Sequence, residues 1–86
     1  MKLKVLTPNK LVIDQEVSRV TLPGSEGEMT ILPMHAAMVA TLKSGKMKYQ
    51  GAGKESMLSI DEGYVEVLKD QVLVMIRGLS TEAKVP

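Results

Sequence analysis

Apolar and polar residues alternate along most of this chain. Leu3 and Val5 alternate with Lys2 and Lys4, Val20 and Leu22 with Arg19 and Thr21, and Met47 and Tyr49 with Lys46, Lys48 and Gln50. Leu58 and Ile60 sit either side of Ser59, and Val65 and Val67 flank Glu66. A period of two places every second side chain on one face, so each stretch predicts a strand with one face turned inward. Val72 to Ile76 reads VLVMI without a break, which predicts a strand covered on both faces. Ala36 to Leu42 is short, lies between Pro33 and Gly45, and contains β-branched Val39 and Thr41. It predicts a strand rather than a helix.

The turn residues fit this reading. Thr7-Pro8-Asn9-Lys10 separates the first two strands, and Gly51-Ala52-Gly53 closes a hairpin. Asp61-Glu62-Gly63 turns the chain again, and Lys69-Asp70-Gln71 makes a last hairpin. Closely spaced strands with turns between them predict an all-β fold, one small β-sandwich or barrel of roughly eight to ten short strands. The expected domain covers residues 1–79, and Ser80 to Pro86 is expected to be a loose tail.

Composition narrows the function. The chain has 86 residues, enough for one domain. Aromatic residues make up 2%, with no Trp or Phe, and the formal net charge is +1. Neither the stacking platforms nor the basic footprint of a nucleic-acid binder is present. There is no cysteine, so disulfides, thiolate metal sites and cysteine nucleophiles are excluded. No apolar run approaches the ~20 residues of a membrane-spanning helix. MKLKVLTP already reads as a strand and not as a signal peptide. The expectation is a soluble, cytosolic chain that reaches a membrane only through a partner.

Few residues suggest chemistry. His35 is the chain's one histidine. A metal site needs three or four ligands and nucleophilic catalysis needs a hydroxyl or thiol beside the base, and the local sequence supplies neither. Glu26 and Glu28 lie two apart in a loop framed by Gly24 and Gly27. Catalytic carboxylate pairs flank a cleft from separate elements, so this pair forms an acidic tip instead. Such a tip either meets a basic partner surface or is simply solvated. Lys43, Lys46, Lys48 and Lys54 read as edge-strand lysines that block aggregation. Seven methionines is a high number for this length. Met47 or Met57 reads as core, while Met34 fits either a core or a partner surface.

Several ordered blocks resemble the epsilon subunit of bacterial F-type ATP synthases. The chain opens MKLKVLTPNK, a short strand and a Thr-Pro turn like that family's. Leu22-Pro23-Gly24-Ser25-Glu26-Gly27-Glu28 resembles the family's LPGxEGE loop, and Pro33-Met34-His35-Ala36-Ala37 its Pro-Gly-His-Ala-Pro turn. Leu42-Lys43-Ser44-Gly45 resembles Leu-Lys-Pro-Gly. Asp61 to Val67 and Val72 to Met75 resemble its last two strands. Met34, Ala37, Ser44 and Thr30 replace usual Gly or Pro residues. Met34 therefore requires a backbone with φ below zero or some strain.

The resemblance implies a non-catalytic rotor subunit of a proton-translocating ATP synthase, at the cytoplasmic face of a bacterial plasma membrane and without a cofactor. The implied partners are the gamma subunit, the membrane c-ring and, indirectly, the catalytic alpha/beta head. Ser25, Glu26, Glu28 and His35 are the expected c-ring contacts, and Met38 and Leu42 the expected gamma contacts. Family members usually continue into two C-terminal helices that can inhibit the head. This chain stops at Pro86 with no helical periodicity after Ile76, so coupling without that brake is expected. Two other classes compete. A biotinyl or lipoyl carrier domain would be modified at Lys46 or Lys48, and a small enzyme would use His35 and Glu28.

Overall fold

The computed structural model describes residues 1–79, so the expected tail, 80–86, lies outside the described residues. Nine strands follow one another: β1 (Lys2–Leu6), β2 (Leu11–Glu16), β3 (Arg19–Gly24), β4 (Gly27–Ile31), β5 (Met38–Leu42), β6 (Gly45–Gly51), β7 (Lys54–Ile60), β8 (Gly63–Leu68) and β9 (Gln71–Ile76). The expected all-β sandwich is what the chain forms. The pairing order is β2-β1-β9-β8-β5-β3-β6-β7, with β4 added on β3. All pairings are antiparallel except β1 with β9.

One sheet becomes two layers at β3 and β5. Arg19 to Thr21 of β3 pair with β6, whereas Gly24 pairs with Leu42 of β5. Between them lies Pro23, which has no N–H to give a neighbour. Its carbonyl instead takes the Lys43 amide at 2.9 Å, where the chain passes from β5 into β6. The layers β2-β1-β9-β8-β5 and β4-β3-β6-β7 thus share a corner and enclose one core.

That core holds the inward set the alternation predicts. Leu3, Val5, Val20, Leu22, Ile31, Met47, Ile60, Val65, Val72 and Val74 are fully buried. Met47 is core and Met57 is 57% exposed, so only the first fills the interior. The apolar run of β9 is not covered on both faces, because Leu73 and Met75 are only half-buried. They face outward from the layer, and the Tyr64 hydroxyl lies against Met75 Sδ at 3.6 Å.

Two other expectations change. Gly27 to Ile31, read as loop, is a strand because Ile31 and Met29 meet Val20 and Leu22 of β3 in register. Lys46 and Lys48 belong to β6, an interior strand between β3 and β7, and do not guard an edge. Lys54 does lie in an edge strand, β7. The hairpins fall where expected. Thr7 Oγ1 accepts the amides of Asn9 and Lys10 at 3.3 Å, fixing the β1–β2 turn. Ala52 and Gly53, and likewise Lys69 and Asp70, have left-handed φ, the two-residue turn that matches strand twist.

Candidate functional site

The antiparallel run of β4 separates two groups of surface residues. At one end is the β3–β4 turn, Ser25-Glu26, next to the end of β5. The Ser25 amide donates to the Thr41 carbonyl at 3.0 Å, and the Thr41 hydroxyl donates to Ser25 Oγ at 2.9 Å. Gly24 permits this close return, since a Cβ there would lie 2.5 Å from Met29 Cε and 2.6 Å from the Gly27 carbonyl. Gly27 itself has φ 133°, a conformation that favours glycine. Glu26 and Glu28 are exposed, and among the described residues neither forms an ion pair. They border a groove of about 530 Å³ whose other wall is Val39, Ala40 and Thr41. The tip is rigidly tied yet electrostatically unspent.

His35 lies beyond the other end of β4. Met29 to Ile31 of β4 and the turn that follows separate Glu28 from His35. Ser25, Glu26 and Glu28 are therefore brought together, and His35 is not with them. The four expected contacts therefore lie in two places along β4, the tip at its start and His35 beyond its end. The loop holding it is a type II turn. The His35 amide donates to the Leu32 carbonyl at 3.1 Å, with Pro33 and Met34 at the corners. The Met34 amide donates to Asp70 Oδ1 at 3.2 Å. His35 Nδ1 lies 2.8 Å from the Ala36 carbonyl. A carbonyl only accepts, so that nitrogen carries the proton.

Met34 occupies the turn position that favours glycine. It has φ 69° and its residue is 90% exposed. The sequence required φ below zero or strain, and the chain takes the strained choice. A left-handed non-glycine residue costs about 1–2 kcal/mol, part of which glycine's greater unfolded freedom offsets. Met34→Gly is expected to stabilise the fold by about 0.5–1 kcal/mol, read as a higher urea midpoint with unchanged slope. An unchanged or lower midpoint would show that the turn bears no strain.

The expected gamma contacts separate as well. β5 alternates, with Met38, Ala40 and Leu42 pointing in and Val39 and Thr41 out. Leu42 is 2% exposed and part of the core. Met38 is half-buried against the core. The apolar residue of β5 that faces outward is Val39, 70% exposed. Leu32, Met34 and Leu68 are exposed towards the same end as His35. Sequence reasoning missed Val39, Leu32 and Leu68. Only the parity of β5 against β8, Met38 opposite Val67, shows which residues are outside.

Among the described residues no three His, Asp or Glu side chains gather as a metal site requires. Lys46 and Lys48 lie inside β6, away from the Ala52-Gly53 tip of the β6–β7 hairpin. A carrier lysine sits at such a tip, so the carrier reading loses its geometric basis.

Residues 1–81 match the family model for the ATP synthase delta/epsilon chain β-sandwich domain. This chain belongs to that family. It is 42% identical over 79 residues to the ATP synthase epsilon chain of a Sulfurovum species, covering 91% of this chain and 62% of that one. It is 39% identical over 79 residues to the epsilon chain of Campylobacter jejuni subsp. doylei, covering 91% and 61%. Among solved structures, a chain of the Euglena gracilis mitochondrial ATP synthase superposes with a TM-score of 0.84 at 25% identity. That likeness covers 91% of this chain and 51% of the other. A chain of the Tetrahymena thermophila mitochondrial enzyme superposes with a TM-score of 0.78 at 19% identity, covering 92% and 64%, and shares the fold. The chain spans about three fifths of the length of the curated relatives it matches. The sandwich domain of the family accounts for every described strand.

Proposed function

We propose that this chain is a rotor-stalk subunit of a proton-translocating F-type ATP synthase. It links the gamma subunit to the membrane c-ring and couples proton transport to ATP synthesis. The observation that carries the reading is the family match over residues 1–81, supported by relatives that are epsilon chains of ATP synthases. The Euglena structure, of a complex described as containing the catalytic head and the c-ring, supports the same partners. No bond is made or broken by this chain. The catalytic sites lie on the alpha/beta head, which it reaches indirectly, and it works at the cytoplasmic face of a bacterial plasma membrane.

The two ends of β4 divide the labour. Ser25, Glu26 and Glu28 present unpaired acidic charge, which suits basic polar loops of the c-ring. The apolar shoulder of Leu32, Met34 and Leu68, at the end where β5 begins with Met38, suits gamma. A close-packed β core between the two surfaces yields little under load, so rotation of one is passed to the other.

The test is co-purification. A tag after Pro86 in the native cells, followed by gentle solubilisation, is expected to bring down gamma, the c-ring and the catalytic head. Recovery of the chain alone, or with a ligase and a modified Lys46 or Lys48, would overturn the assignment.

A further inference from the structure

The outer face of the layer β2-β1-β9-β8-β5 is not polar throughout. Leu6 of β1, Leu73 and Met75 of β9 and Tyr64 of β8 point out from it, half-buried or exposed. Register sets these side chains in two rows. Leu6, Met75 and Tyr64 lie opposite one another across three strands, and Lys4, Leu73 and Glu66 form the next row. The first row lines a groove of about 790 Å³. Leu73 and Glu66 line a second, of about 240 Å³. Lys4 and Glu66 stand on either side of Leu73, and among the described residues neither forms an ion pair. Asp14, opposite Lys4, is held by Lys2 at 3.3 Å.

We propose that this face pairs with the same face of a second copy of the chain, about a two-fold axis running along β9. Such an axis exchanges the β1 side for the β8 side. It lays Lys4 of each copy over Glu66 of the other and Leu6 over Tyr64, while Leu73 and Met75 meet their own counterparts at the centre. The face is therefore complementary to itself, cation to carboxylate and aliphatic to aromatic in one register. A surface of a single charge would satisfy one of Lys4 and Glu66 and repel the other. Stacked sheets stand ~10 Å apart with their side chains interdigitating, and the two grooves give room for that. The contacts lie within residues 4–75, and the inference does not rest on the rotor assignment.

Size sets the strength. Three short strands spaced ~4.8 Å apart give a contact well below the ~800 Å² a side of a standard interface. The dissociation constant is expected to be about 100 µM, in the range of transient pairs. Pairing covers the apolar rows while the chain is free and yields to a tighter partner by mass action.

Sedimentation equilibrium of the 86-residue chain tests it, over concentrations from about a tenth of that constant to about ten times it. A monomer–dimer equilibrium is expected. Lys4→Glu sets carboxylate over carboxylate at both Lys4–Glu66 contacts and is expected to weaken the dimer about 10-fold, and Glu66→Lys does the same with two cations. The two reversals combined restore the pairing and are expected to return the constant to within about 2-fold of the parent, since coupled sites are not additive. That recovery separates lost pairing from lost folding. Lys46→Glu makes the same change of net charge on β6, in the other layer, and is expected to leave the dimer unchanged. A chain that stays monomeric throughout or a dimer indifferent to the single reversals would overturn the proposal. So would equal weakening by Lys46→Glu, or a double variant as weak as either single one.

Discussion

Replacing Gly63 by alanine is expected to cost about 3 kcal/mol of stability, the upper range for overpacking a core position. A Cβ at Gly63 would lie 2.1 Å from the Met75 carbonyl oxygen and 2.7 Å from Ile76 Cα. Both atoms are backbone of β9, which is fixed by β1 on its far side. No side chain can rotate out of the way, so the β8–β9 ladder has to part where it begins, with Gly63 opposite Ile76. Domains of this kind have about 5–15 kcal/mol in total. The loss is expected to lower the thermal midpoint by roughly 15 °C. Gly53 is the control. Its Cβ would meet nothing within 4 Å, and alanine at its left-handed φ is expected to cost only about 1 kcal/mol. Calorimetry of both variants checks the contrast, and equal losses would show that space at Gly63 is not what matters.

The second large effect concerns assembly and not folding. Reversing both tip charges, Glu26→Lys with Glu28→Lys, is expected to weaken association with membranes carrying the c-ring by about 100-fold, or about 3 kcal/mol. Neither carboxylate has a cationic partner among the described residues, so the variant is expected to melt within ~0.5 kcal/mol of the parent, as surface changes do. The deficit should narrow as salt rises, because exposed charges are screened within about 10 Å at 0.1 M. A binding curve at two ionic strengths gives the answer. Unchanged recovery of the double variant would take the acidic tip out of the interface.

The strands were legible because burial on one face leaves a period of two, as at Leu3 and Val5 or Val65 and Val67. Hairpins were legible where turn residues had no other use, as at Ala52-Gly53. Parity failed in β5, which carries apolar side chains on both faces, Met38, Ala40 and Leu42 inward and Val39 outward. Nothing local tells the two sets apart until pairing with β8 fixes the register. The outward apolar positions of β9, Leu73 and Met75, were misread for the same reason. The acidic tip was visible as two glutamates flanking Gly27. Its separation from His35 was not, because the strand between them, GEMTI, is short and only Met29 and Ile31 of it face inward.

The one parallel pairing also governs when the protein can exist. β1 is the first strand made and it lies between β2 and β9, the last. During synthesis the hairpins β1–β2, β3–β4 and β6–β7 can close on their own neighbours. Until Gln71 to Ile76 leave the ribosome, Leu3 and Val5 have no partner on the β9 side. Closing so long a loop is slow, and waiting strand edges invite pairing with other chains. Emergence of Gln71 to Ile76 from the ribosome is therefore the step that converts a set of separate hairpins into a single cooperative body.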